Sequence, residues 1–177
     1  MIRFKSFKAF VLLAGLVLLS GCKAVEFVDL PRYMGTWYQI SANPFVFSDG
    51  LVGVTATYSL NEDDSVTVVN RGFKGSFDGE EDVIEGSATV FDPRSNSSLI
   101  VTFPGAPQFR IPNYLIVVLD EVDYQYAAVT DPFENTLFIL SRNPQMDEGL
   151  YQAILSQLAA KEIDISRLVL TPQQSEV

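Results

Sequence analysis

The chain has 177 residues, 47% of them hydrophobic and 19% charged, which suits one domain with a sizeable core and excludes general disorder. No histidine and one cysteine remove histidine general bases, Ser-His-Asp and Cys-His pairs, His-ligated haem, His-containing zinc sites, internal disulfides and thiolate cages. Twelve basic against 22 acidic side chains give a net charge of −10, the opposite of a surface that tracks nucleic acid.

Residues 1–21 read as an export segment: a basic start (Arg3, Lys5, Lys8), an apolar run from Ala9 to Leu19 too short for an ordinary membrane span, then small residues. Leu19-Ser20-Gly21-Cys22 resembles the bacterial lipobox, in which the cysteine is acylated and the chain cut before it. On that reading Cys22 is the lipidation site, the mature protein is 177 less 21, or 156 residues, and it keeps nine basic against 22 acidic side chains, net −13. Two or three acyl chains, at ~0.8 kcal/mol per buried methylene, anchor a protein firmly to a bilayer. Lys23 in place of an aspartate after the cysteine resembles the sorting pattern for the outer membrane of a Gram-negative bacterium, with the periplasmic side favoured. Residues 22–30 are then expected to be a lipidated tether, 31–173 the folded domain and 174–177 a tail.

From Tyr33 on, runs rich in Val, Ile, Thr, Tyr and Phe are separated by turn clusters such as Asn61-Glu62-Asp63-Asp64 and Asp131-Pro132-Phe133-Glu134. The alternation predicts strands at 35–42, 51–60, 65–74, 83–91, 98–103, 113–120, 124–130 and 135–142. At 147–161 the period changes, and Leu150, Ile154, Leu155 and Leu158 fall on one side of a helix. A last short strand is expected at 167–171. The fold class is therefore all-β, an eight-stranded antiparallel up-and-down barrel with a C-terminal α-helix packed outside it and a short final strand.

Period-2 facing puts Val54, Ala56 and Tyr58 on one face, Val66, Val68, Asn70 and Gly72 on another, and Ile84, Gly86, Ala88 and Val90 on a third. The small residues among them either leave empty volume or fit the taper of a barrel. The expected interior wall comprises Val54, Ala56, Tyr58, Val68, Asn70, Ala88, Leu99, Val101, Phe103, Tyr114, Ile116 and Val118. Arg110, Arg71 and Lys74 are candidates to meet an anionic head group, with Tyr58 and Tyr114 as donors from inside. The loop 42–50 carries Phe45 and Phe47 and either closes the mouth, dips into a membrane or packs beneath itself.

The segment Gly35-Thr36-Trp37-Tyr38, followed by Thr130-Asp131 and by Arg142 in Phe138-Ile139-Leu140-Ser141-Arg142, resembles the three signatures of the lipocalin family. The likeness runs over about 29–173 and is strongest to the bacterial outer-membrane lipoprotein lipocalins and the apolipoprotein D branch, through Val54 to Leu60, Val69 to Gly72 and Ile139 to Pro144. It implies that Trp37 plugs the closed end of the barrel, that Gly35, Thr130 and Asp131 shape its ends, and that Arg142 lies across the Trp37 indole. Pro132, where an aromatic residue is common, departs from the pattern.

The resemblance further implies a fatty acid or lysophospholipid as ligand, no cofactor, no metal and no catalytic residues. The acid groups Asp63-Asp64 and Glu80-Glu81-Asp82 sit in turn-like stretches, where solvated charge is the default. A structural or protein-contact envelope lipoprotein with a filled barrel is the rival reading, and the sequence leaves room for a homodimer.

Overall fold

The computed structural model describes residues 23–44, 50–107 and 110–174; the export segment, Cys22, Phe45 and Phe47 lie outside the described residues. In chain order the elements are a four-residue helix α1 (Leu30–Tyr33), then β1 (Gly35–Ala42), β2 (Leu51–Leu60), β3 (Val66–Lys74), β4 (Glu81–Val90), β5 (Ser98–Thr102), β6 (Tyr114–Leu119), β7 (Tyr126–Thr130), β8 (Leu137–Ser141), α2 (Glu148–Ala160) and β9 (Val169–Leu170). Every strand and α2 lie within two residues of the ranges that alternation and helical periodicity predict. Helix α1 was not expected, since four residues, one of them Pro31 in its first turn, are too few to show a period.

Neighbouring strands pair antiparallel from β2 through β8, β1 pairs β8, and β1 also pairs β2, so the sheet closes on itself. The seam is shared. At the start of β1, Gly35 to Tyr38 face Tyr58 to Thr55 of β2, whereas at its end Ser41 and Ala42 face Leu170 and Val169 of β9. The C-terminal strand thus wedges between β1 and β2, held by Gly53 N–H donating to the Pro172 carbonyl (2.8 Å) and by the Gln173 side-chain amide donating to the carbonyls of Gln39 and Val54 (2.9 Å each).

Two apolar clusters lie on opposite faces of this wall. The inner one fills the barrel around Trp37, Tyr58, Val66, Val68, Leu99 and Ile116. The outer one lies under α2, whose buried Ile154 and Leu158 pack with Val117, Val118, Ala128, Leu137 and Ile139 of β6, β7 and β8. Burying two such side chains stabilises by ~1.5–3 kcal/mol each, which holds α2 on the barrel. Its first turn is capped by the Asp147 carboxylate, which accepts from the Leu150 N–H at 3.1 Å.

The 22–30 segment differs from a plain tether over its described part. Val25 N–H donates to the Ile116 carbonyl (2.8 Å) and Val28 N–H to the Ser95 carbonyl (2.7 Å), and Val28 is fully buried. Since β5 and β6 share only two register pairs, this stretch supplies hydrogen bonds and apolar cover where their ladder is short.

Candidate ligand-binding interior

The narrow end of the barrel is built around Trp37, which is fully buried and donates its indole N–H to the Tyr33 carbonyl at 2.8 Å. The Arg142 guanidinium sits 3.7 Å from the indole centroid, the cation–π contact that the motif implies. It also donates to the carbonyls of Arg32 (3.0 Å), Tyr33 (3.1 Å), Met34 (2.7 Å), Thr36 (2.8 Å) and Tyr124 (3.3 Å). The first three are carbonyls of α1's last turn and its C-cap, which a helix end leaves unpaired. Gly35 makes the arrangement fit: its φ of +93° turns the chain from α1 into β1, and a Cβ there would lie 3.4 Å from Arg142 Nη1. Partial burial draws the Arg142 pKa down from its ordinary value, yet a guanidinium this basic keeps its charge.

Above this plug three tyrosine hydroxyls meet. Tyr114 Oη lies 2.8 Å from Tyr33 Oη and 3.0 Å from Tyr58 Oη. Burial is the first cause of raised pKa values at all three; Tyr58 is pushed up to about 12, and Tyr33 and Tyr114 go well above the usual tyrosine value. Two hydrogen bonds among three hydroxyls use two donors and leave one O–H directed elsewhere. Beside the trio is a void of about 10 Å³, lined by Leu30, Met34, Val66, Ala88, Leu99 and Val101 as well as the tyrosines, which is space for about one water.

The small inward residues do not simply leave volume empty. A Cβ on Gly86 would come within 2.5 Å of Phe103 Cδ1, so that ring already occupies the space beside β4. At Gly72 the room is used by Leu51 and Val54, whose side-chain atoms would lie 3.1 and 3.2 Å from a Cβ. Both positions are packed, Gly86 beside the tyrosines and Gly72 two residues mouthward of Asn70.

On the β4 side the wall opens toward the wide end. Register pairing sets Tyr58, Val68 and Gly86 side by side, and one step nearer the wide end sets Ala56, Asn70 and Ile84 side by side. Along the inward face of β4, exposure rises from 2% at Ala88 to 39% at Ile84, and Ala56, Asn70, Val101 and Phe103 are only half-buried. Tyr114, Ile116 and Leu99 belong to the inner cluster, as their alternation predicts.

Val118 does not face inward. Ile116 pairs Val129 and Val118 pairs Ala128, so Val117 is an extra residue in β6, and this bulge carries Val118 to the outer cluster under α2. Arg71 and Lys74 are exposed and occupied by ion pairs, Arg71 with Glu81 (3.1 Å) and Lys74 with Glu80 (3.2 Å), on the β3–β4 hairpin at the wide end. Arg71 lies on the face opposite Asn70 and Gly72, which the period of two already implies. Arg110 is exposed in the β5–β6 connection. The acid groups Asp63-Asp64 and Glu80-Glu81-Asp82 are exposed.

Asp131 shapes the β7–β8 turn: its carboxylate accepts from Phe133 N–H (2.8 Å), Thr136 N–H (2.7 Å) and Thr136 Oγ1 (2.8 Å), while Thr130 Oγ1 donates to the Thr136 carbonyl (2.6 Å). The inner face also holds residues outside the expected wall. Tyr33 precedes the first strand, so no alternation orients it; Ile84 and Val66 share the inward faces of β4 and β3; and Val129 and Leu140 line the β7–β8 side.

A family model described as a lipocalin-like domain matches residues 28–173. The chain is 32% identical over 174 residues to the outer membrane lipoprotein Blc of Vibrio cholerae, covering 94% of this chain and 99% of that one. It is 35% identical over 157 residues to temperature-induced lipocalin-1 of Arabidopsis thaliana, covering 85% and 82%. Among solved structures, insecticyanin from the tobacco hornworm Manduca sexta superposes with a TM-score of 0.67 at 17% identity, covering 86% of this chain and 84% of that one.

Proposed function

The chain belongs to the lipocalin family, and we propose that it is a lipid-anchored carrier, acylated at Cys22 on the periplasmic side of a Gram-negative outer membrane, that holds a fatty acid or lysophospholipid in the upper half of its barrel. Four bacterial relatives bear the name outer membrane lipoprotein Blc, which supports the anchor and the location. The observation that carries the cargo is the rise in exposure along the inward face of β4, from Ala88 at 2% to Ile84 at 39%. An inward apolar side chain open to solvent is a surface that a hydrocarbon chain would cover favourably.

The hydrocarbon would enter past Ile84, Asn70 and Ala56 and stop at the packed tyrosine floor. From Val68 to Lys74 the strand rises six residues at ~3.3 Å, and a barrel tilt near 40° turns that into a depth of roughly 15 Å. Ten buried methylenes at ~0.8 kcal/mol contribute ~8 kcal/mol before ordering costs, enough for micromolar capture. The packed floor, with Leu51 and Val54 packed beside Gly72 nearer the mouth, favours the second reading, a filled barrel serving as a structural lipoprotein, only if the β4 side is filled as well.

The two readings separate in one experiment. The protein is extracted from membranes, its co-purified lipids are identified by native mass spectrometry, and binding is followed by displacement of a dansylated undecanoic acid. The carrier reading expects bound lipid and, for Ala56→Phe, at least a tenfold loss of probe affinity, about 1.4 kcal/mol, with an unchanged circular dichroism spectrum. No co-purified lipid together with no probe binding by the unaltered chain would leave only the filled barrel.

A further inference from the structure

The strands fix which end of the barrel is which. Trp37, Arg142 and the β6–β7 turn lie at the plugged end, whereas the connections after β1, β3, β5 and β7 surround the mouth. Lys23, one residue beyond the proposed anchor, is fixed at the mouth end. Its ammonium pairs with the Glu134 carboxylate in the β7–β8 turn and donates to the Glu162 carbonyl (3.2 Å), and its carbonyl accepts from Lys161 Nζ (3.0 Å). Consecutive Cα atoms are ~3.8 Å apart, so an acylated residue 22 would start within a few ångströms of this rim. There is almost no leash.

This sector of the rim carries exposed apolar side chains, as the plugged end does at Leu60, Phe91 and Val122. Exposed apolar side chains follow one another along it: Ile111 (47%) in the β5–β6 connection, Phe133 (73%) in the β7–β8 turn, and Val169 (57%) and Leu170 (66%) on β9. Four of the nine basic residues of the mature chain, Lys23, Arg110, Lys161 and Arg167, lie on the segments around it. In a molecule of net −13 they bring this sector close to neutrality, while the β3–β4 hairpin across the mouth carries Asp78, Glu80, Glu81 and Asp82 against Arg71 and Lys74.

We propose that the barrel docks mouth-first on the bilayer that holds its anchor, with the β5–β6, β7–β8 and β9 sector of the rim seated on phospholipid. The proposal rests on acylation of Cys22. Its consequence for the carrier is direct: an acyl chain passes between bilayer and cavity along apolar rim residues without crossing open water, which at ~0.8 kcal/mol per methylene would be the largest barrier to exchange.

The test uses the full acylated chain in phosphatidylcholine vesicles containing phosphatidylcholine spin-labelled at the head group. The thioether consumes the Cys22 thiol, so Phe133→Cys and Val122→Cys each present one free thiol for a fluorophore; Val122 is 75% exposed in the β6–β7 turn at the plugged end. Mouth-first docking expects the probe at 133 to be quenched by the spin label and shielded several-fold from aqueous iodide, and the probe at 122 to do the reverse. A flexible Gly/Ser spacer of about 20 residues after Cys22, spanning roughly 25 Å, should weaken the asymmetry without abolishing it, since the rim keeps its own apolar contact. Equal quenching without the spacer or stronger quenching at 122 would overturn the proposal while leaving the anchor intact. An unacylated Cys22, read by mass spectrometry, would overturn both.

Discussion

Replacing Arg142 by methionine keeps most of the aliphatic cover over Trp37 but removes the guanidinium that joins α1, β1 and the β6–β7 turn. The cation–π contact accounts for ~1 kcal/mol at a partly exposed site. The five carbonyl contacts are worth less than five charged hydrogen bonds, because Arg142 is half-buried and water can reach part of the vacated site; together we assign them ~2 kcal/mol. The expected loss is about 3 kcal/mol, which for a chain of this size lowers Tm by about 6–12 °C. Trp37 is the sole tryptophan, so its fluorescence reports the transition without ambiguity, and its emission in the native state should move to the red as the plug loosens. Arg142→Lys should recover less than half, since one ammonium cannot reach carbonyls that a planar fork spans. A loss below about 1 kcal/mol in Arg142→Met, or full rescue by lysine, would show that α1 is held by packing alone and refute the capping argument.

Three further outcomes follow from the interior and the turns. The tyrosine trio keeps its protons in the native state above the ordinary tyrosine pKa, so it contributes stability that is complete below pH about 10 and is lost as pH rises toward and past the value of about 12 for Tyr58. Urea midpoints should fall across that window, and absorbance at 295 nm should show three of the seven tyrosines ionising with unfolding rather than before it. Tyr114→Phe removes the hydroxyl shared by both hydrogen bonds and should cost about 1–2 kcal/mol in urea titration at neutral pH. Asp131→Ala leaves the N–H groups of Phe133 and Thr136 to solvent and should cost about 1–2 kcal/mol, with faster amide exchange confined to the 131–136 turn.

The barrel was legible because its strands alternate cleanly and each break carries turn chemistry; β1 and β2 have the bounds that alternation gives them. The interior was legible where that alternation is unbroken, as at Tyr58, Val68, Ala88 and Leu99. It failed at Val118 because a bulge changes the face without changing residue type, and nothing in Leu115-Ile116-Val117-Val118-Leu119 distinguishes inner from outer apolar side chains. The packed floor was hidden for a related reason: Gly86 reads as a gap, and only the fold brings Phe103 into it. Stretches without period, such as Lys23 to Tyr33, gave no hint of their docking, although Asp29 before Leu30-Pro31 is a helix-start signal that could have been taken. Arg71 was a different failure, because the strand's own period already turns it away from the interior.

The seam between β1 and its partners has a bearing on biogenesis. Gln39 to Ala42 pair with Leu140 to Phe138 and then with Leu170 and Val169, so the two rims that close the cylinder are contributed by opposite ends of the polypeptide. A chain that emerges amino-terminus first, whether from a ribosome or through a translocation pore, can zip β2 to β7 in sequence yet has nothing to shut against until its last quarter has appeared. Contacts of such long range slow folding, and until they form the edges of β1 and β8 lack the partners that close the cylinder.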